Sequence, residues 1–114
     1  GGGDLYLVVE IANGDLFRIE GDDVTTPLKV SPSEAVLGGT APLTTLDGNV
    51  RVKIPPGSST GRRIRLRGRG YPGKGGRRGD LFAEIQVVVP SEPTDEEKKL
   101  YAQLAEVSPF DPRD

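Results

Sequence analysis

The chain has 114 residues, a formal net charge of −2, a hydrophobic fraction of 34%, 16 Gly, 10 Pro, and neither Cys nor His. That length suffices for one domain with its own core and is short for two, and the near-balanced charge is not the signature of a disordered chain. Without Cys or His, thiol nucleophiles, soft metal sites and His-based triads are excluded, and no apolar run reaches membrane-spanning length.

Gly1-Gly2-Gly3 reads as an internal boundary, and no charged-then-apolar signal peptide opens the sequence. A chain free of Cys fits the cytosol, so a cytoplasmic location is expected. Asp4–Ile11, rich in β-branched and aromatic residues, predicts a first strand. Asn13-Gly14-Asp15 is turn chemistry, and Leu16–Ile19 predicts a short second strand closed by Gly21-Asp22-Asp23. In the third strand Val24, Thr26, Leu28 and Val30 alternate with Thr25, Pro27 and Lys29. Pro27 cannot donate to a ladder, so an edge or a bulge is expected there.

Ser31 to Gly38 predicts a miniature helix: Ser31 caps it, Pro32 suits its first position, Glu34 completes a capping box and Gly38 ends it. A strand near residues 41–46 meets Asp47-Gly48, a hairpin signal, and Val50, Val52 and Ile54 then alternate with Arg51 and Lys53 up to Pro55-Pro56-Gly57. Ile64 and Leu66 alternate with Arg63, Arg65 and Arg67 in the next strand. Residues 68–79 hold six Gly and Pro72, which predicts a mobile loop. A last strand runs from Leu81 to Val89 and stops at Pro90. Thr94 and Glu97 form a second capping box, with Asp95 and Glu96 suited to a positive helix start. Leu100, Tyr101, Leu104 and Val107 then share one helical face, and Pro109 ends the element. Seven short strands, turns between them and one small internal helix predict a mainly β protein, an antiparallel sandwich or partial barrel, followed by a C-terminal α-helix.

Most chemical motifs fail on context. Gly68-x-Gly70-x-x-Gly73 matches a dinucleotide fingerprint, and the stretch to Lys74 resembles a phosphate loop. Both need a helix to open where Pro72 and further glycines stand, and the phosphate loop also lacks its hydroxyl residue at 75. Asp22-Asp23 and Glu96-Glu97 sit in polar surroundings that give no reason for a raised pKa. Arg78-Gly79-Asp80 spells an adhesion tripeptide at what reads as a loop-to-strand junction. No catalytic constellation remains, so the chain is not expected to be an enzyme, and no metal or cofactor is expected.

Between Asp47 and Asp80 lie ten cations and no anion, while the flanks carry five cations against all seventeen acids. Such a run could neutralise phosphates, or it could meet acidic segments of protein partners. Tyr71 is its only aromatic, so no stacking platform is evident. Arg51, Lys53, Arg63, Arg65 and Arg67 have outward parity opposite Val, Ile and Leu, as on the solvated face of any half-buried sheet. That plain reading is preferred, and nucleic acid is an unlikely partner.

The terminal helix, at three to four turns, is marginal alone in water. Its stripe must be covered, and composition and spacing leave its own sandwich and a twin from another subunit equally open.

The residues from Thr45 to Gly57, with Leu46-Asp47-Gly48-Asn49-Val50 and Ile54-Pro55-Pro56-Gly57, then Gly61 and Arg65-Leu66-Arg67-Gly68-Arg69-Gly70, resemble the C-terminal β-domain of DnaJ-type co-chaperones. Phe17-Arg18 with Gly21-Asp22-Asp23-Val24, then Ala35–Gly39, then Gly79-Asp80-Leu81 extend the resemblance in the family's order over roughly residues 3–107. One departure is visible: members often carry His three residues before the Phe at 17, where this chain has Gly14.

The resemblance implies two related sandwiches in tandem followed by a dimerisation helix. Residues 1–12 would then be the closing strand of the preceding domain and its linker, residues 13–90 the C-terminal sandwich, and residues 91–114 the dimerisation helix and tail. The similar starts at Gly3-Asp4-Leu5-Tyr6 and Gly79-Asp80-Leu81-Phe82 fit that division. A J domain, a Gly/Phe-rich linker and most of the first sandwich would lie elsewhere in the parent. Zinc modules insert into that first domain, so the lack of Cys leaves the parent's class open. The resemblance also implies the partners: non-native polypeptide clients, a second copy of the chain, and a DnaK-type chaperone reached through other parts of the parent. It favours a twin as the cover of the terminal helix, with Leu100, Tyr101, Leu104, Val107 and Phe110 as the seam. The candidate client surface is the edge-prone strand with Val24, Leu28 and Val30, next to Leu43, although that alternating apolar side is more simply read as core.

Overall fold

A computed structural model describes residues 7–10, 16–71 and 78–114. Its elements are β1 (Leu7–Glu10), β2 (Leu16–Glu20), β3 (Asp23–Val30), α1 (Pro32–Leu37), β4 (Gly39–Thr45), β5 (Gly48–Ile54), β6 (Arg63–Leu66), β7 (Leu81–Val87) and α2 (Asp95–Val107). The expected strands, the miniature helix and the terminal helix are all present. Residues 4–6 of the first expected strand, the turn at 13–15 and residues 72–77 of the glycine-rich loop lie outside the described residues.

Five strands form one sheet in the order β1-β2-β3-β7-β6, and β4-β5 form a second. The inward residues of both layers build one core: Phe17, Ile19, Val24, Leu28, Val30, Leu81, Ala83 and Ile85 from the large sheet, and Ala41, Leu43, Val52 and Ile54 from the small one. Period-two alternation makes this possible, since every second side chain of a strand points to the same layer. The result is the mainly β sandwich with a C-terminal helix that the sequence predicts.

One pairing departs from the antiparallel pattern. β3 and β7 run parallel, from Val24 opposite Leu81 to Val30 opposite Val87. Between them the chain passes through α1, the β4-β5 layer and β6, a crossover of the length parallel strands require.

β3 also settles the placement of Pro27. Val24 N–H donates to the Asp80 carbonyl and Val88 N–H to that of Val30. The even residues of β3 therefore turn their backbone groups to β7, and the odd ones turn away. On that far side the β2–β3 ladder stops at Arg18 opposite Thr25. Pro27 follows just beyond, where a missing N–H interrupts nothing, so a residue in a central strand occupies a local edge.

α1 is held on the sandwich by its carboxyl end. Gly57 and Ser58 donate their N–H groups to the carbonyls of Val36 (3.1 Å) and Ala35 (2.8 Å), satisfying acceptors a helix end leaves open. Its capping box is formed, with Glu34 N–H on Ser31 Oγ at 3.2 Å and Ser31 N–H on Glu34 Oε1 at 3.0 Å. Ala35 is buried, whereas Val36 and Leu37 face outward. Gly38 ends the helix at φ +81° with an extended ψ, close against the Ile54 carbonyl.

Candidate interaction surfaces

The glycine-rich segment is fixed at both ends by packing that leaves no room for side chains. Gly70 N–H donates to Gly79 O and Tyr71 N–H to Asp22 O, each at 2.9 Å. A Cβ on Gly70 would meet the Asp22 carbonyl oxygen and lie 2.5 Å from the Gly79 carbonyl carbon. One on Gly79 would meet the Asp22 carbonyl group and lie 2.7 Å from Asp23 Oδ1. The expected mobile loop is therefore clamped to the β2–β3 turn where it leaves β6 and where it enters β7.

Two carboxylates organise the cations around this clamp. Asp80 accepts from Arg65 Nε at 2.6 Å and from Gly68 N–H at 3.0 Å, while its own N–H donates to Asp23 Oδ1 at 2.8 Å. The Gly68 N–H and then the Arg65 guanidinium hold the Asp80 carboxyl below the ordinary Asp value. A folded-state pKa below the unfolded one contributes stability that is present above the unfolded value, near ~3.9, and lost as pH falls through the folded one. Asp80→Asn is thus expected to lower the melting temperature at pH 7 and to narrow the difference between the two proteins on acidification below about pH 4, as measured by circular dichroism. Asp47, in the β4–β5 turn, lies 2.6 Å from Arg78 Nη2 and 3.9 Å from Arg69 Nη1. The closer contact is between opposite charges off the line of a hydrogen bond, since Arg78 Nη2 has no aligned acceptor, while Arg78 Nε donates to the Gly70 carbonyl at 2.9 Å. This links the small sheet's hairpin to the loop of the large sheet. Arg78, Gly79 and Asp80 are thereby all engaged in packing or ion pairs, as a structural junction would be.

Among the described residues, the cations on β5 and β6 do not merge into one surface. Arg51 and Lys53 stand on the outer side of β5, with Arg51 Nη2 donating to Thr40 Oγ1 at 2.8 Å. Arg63 and Arg65 stand on the outer side of β6, where Arg63 pairs with Glu84 at 3.4 Å and lies 6.0 Å from the Phe82 ring centre. The outward faces of two stacked sheets point to opposite sides, so the cations of β5 and those of β6 are split across the sandwich.

Val24, Leu28, Val30 and Leu43, the candidate client residues, are 0%, 4%, 1% and 7% exposed. They come together, but in the interior: their face of β3 is covered by the β4-β5 layer, so they are core and carry no client surface.

Most of the exposed large apolar side chains lie on or beside the two helices. α2 opens on its capping box, with Glu97 N–H on Thr94 Oγ1 at 3.1 Å and Thr94 N–H on Glu97 Oε1 at 2.8 Å. It contains no buried residue. Leu100, Tyr101, Leu104, Val107 and Phe110 are 58%, 42%, 56%, 76% and 77% exposed. Between α2 and α1 runs a groove of about 430 Å³, walled by Pro32, Val36 and Leu37 on one side and Leu100, Tyr101 and Leu104 on the other. The α1 wall escaped the sequence reading. Its signal was present: Val36 and Leu37 are adjacent apolar residues on a short helix that can bury only one face, and Ala35 occupies that face.

Among the described residues no cluster of His, Cys, Asp or Glu is placed to hold a metal ion, and no helix is long and apolar enough to cross a membrane.

A β-sandwich followed by an exposed amphipathic helix defines the class, and comparison with known families identifies it. Residues 1–90 match the family described as the DnaJ C terminal domain, and the chain belongs to that family of chaperone domains. It is 48% identical over 111 residues to a curved DNA-binding protein of Coxiella burnetii, covering 97% of this chain and 35% of that protein. It is 42% identical over 112 residues to chaperone protein DnaJ 2 of Synechocystis, covering 98% and 36%. It is 43% identical over 107 residues to chaperone protein DnaJ of Deinococcus proteolyticus, covering 94% and 34%. The chain thus spans about a third of the length of these relatives.

Proposed function

We propose that this chain is the part of a DnaJ-type co-chaperone that joins two copies of the parent and so contributes to holding non-native polypeptide for a cytoplasmic DnaK-type chaperone. The observation that carries the reading is α2, a thirteen-residue helix with no buried residue and a largely exposed apolar stripe. A helix so short is marginal in water unless its stripe is covered, and its own chain leaves the stripe from Leu100 to Val107 42–76% exposed. A second copy is the cover that suits the family. Two weak client sites held in one dimer act on one unfolded chain at high effective concentration, which raises avidity without new contacts. Residues 1–12 are then the end of a preceding sandwich and 13–90 the domain that carries the helix, with the DnaK-type partner engaged elsewhere in the parent. Sedimentation equilibrium is expected to give a dimer mass, and a labelled unfolded peptide is expected to bind the dimer more tightly than a Leu100→Asp, Leu104→Asp monomer. Equal peptide affinity for both forms would remove the avidity argument.

A second reading, contact with DNA, is favoured by the name of the Coxiella relative together with the outward cations. The split of those cations over opposite faces, and the pairing of Arg65, Arg69 and Arg78 with carboxylates, favour weak binding. Titration with duplex DNA is expected to show low affinity that vanishes with added salt, as for a few phosphate contacts. A tight, sequence-selective complex would overturn this ranking.

A further inference from the structure

Resting on the dimer reading, we infer that the α1–α2 groove is the receptor for the tail of a second copy, with Phe110 as its occupant, so that each subunit supplies both a groove and a plug. Four observations carry this. The groove is apolar on both walls, and its α1 wall is fixed to the sandwich by the Gly57 and Ser58 hydrogen bonds. Val107 continues the α2 stripe past the groove, Phe110 follows in the non-helical tail, and the two are 76% and 77% exposed. A two-fold interface demands a surface complementary to itself, so a chain bearing both a cleft and a projecting aromatic meets that demand reciprocally. Length agrees as well. In two α2 helices crossing antiparallel about Leu104, Val107 lies ~4.5 Å from the centre at 1.5 Å per residue, and the three non-helical residues to Phe110 add a reach of up to ~10 Å. That reach spans Leu100 and Tyr101 of the second copy, ~5–6 Å from the centre and beside its α1.

The area is also sufficient. Val36, Leu37, Leu100, Tyr101, Leu104, Val107 and Phe110 expose 42–77% of their surface. At roughly 150–250 Å² for a large side chain, that is on the order of 800 Å² per subunit, about what a specific interface buries on each partner. α2 alone, without the α1 wall and the tail, offers roughly half of this.

The chain has no native Cys, so the test can be made by cross-linking. A Phe110→Cys chain mixed with a Val36→Cys chain is expected to form a mixed disulfide dimer under mild oxidation, faster than either variant alone. Both positions are exposed, so the sandwich is expected to keep its circular dichroism spectrum. In sedimentation, Phe110→Ser is expected to weaken the dimer ~10²- to 10⁴-fold, the effect of uncovering one large apolar side chain in each of the two reciprocal grooves. Mixed cross-linking no faster than the single-variant background, with the dimer still abolished by Leu100→Asp, Leu104→Asp, would overturn the plug and leave the dimer reading standing. A monomer at every loading concentration would overturn both. Loss of peptide binding in Val36→Asp with an unchanged dimer constant would assign the groove to a client instead.

Discussion

Replacing Leu100 and Leu104 together by aspartate is expected to convert the protein to monomers while the sandwich stays folded. Each leucine buried in an interface contributes ~1.5–3 kcal/mol, so losing two from each subunit, four across the two-fold interface, removes ~6–12 kcal/mol before any cost of desolvating the new carboxylates. At about 1.4 kcal/mol per tenfold, the dimer constant should rise by ~10⁴ or more. Neither side chain is buried within its own chain, so thermal unfolding followed at the sheet's circular dichroism signal should lose only the part due to association. An unchanged sedimentation mass would mean that the stripe is covered in some other way.

Gly79→Ala is expected to be the most destabilising small substitution. Its Cβ would be driven into the Asp22 carbonyl, which is backbone and cannot rotate aside as a flexible side-chain end would. Overpacking of this kind costs ~1–3 kcal/mol and occasionally more. Here the Gly70–Gly79 hydrogen bond and the Asp80 ion pairs would move with it, so a cost of ~3 kcal/mol or more is expected. For a domain of this size that lowers Tm by about 12 °C or more. Gly21→Ala is the informative control. It sits at φ +62° with nothing within 4 Å of the added carbon, so only the conformational cost of ~1–2 kcal/mol applies. If the two variants melted together, the clamp would not be the cause.

What could be read from the sequence was local. Both capping boxes, Ser31 with Glu34 and Thr94 with Glu97, are geometric consequences of residues three apart, and each forms. Asp47-Gly48 fixes the β4–β5 hairpin for the same reason. Parity along β3, β5 and β6 separated inward from outward residues, because alternation is a property of the strand itself. Parity does not say which layer covers the inward side, however. Val24, Leu28 and Val30 therefore suit a groove as well as a core, with core the plainer reading, and the β4-β5 sheet over them makes them core. The β3–β7 pairing joins residues whose separation leaves no local signal. Six glycines in twelve residues read as freedom, yet Gly70 and Gly79 are there because the Asp22 backbone comes too close for any side chain. The α1–α2 groove needed two helices far apart in sequence, so only its halves were visible.

The parallel pairing of β3 with β7 has a consequence for how the molecule forms. Asp23 and Asp80, bonded at the start of that pairing, are 57 positions apart, and β7 supplies Leu81, Ala83 and Ile85, all 0% exposed. Until β7 is in place, the centre of the large sheet lacks a neighbour and the interior stands open. Topologies that depend on such distant partners carry a high contact order and acquire structure slowly, on the millisecond-to-second scale typical of β-rich domains. During synthesis from the N-terminal side, β3's unpaired edge and apolar side would thus stand open to solvent until β7 follows, the very kind of surface that aggregation templates upon.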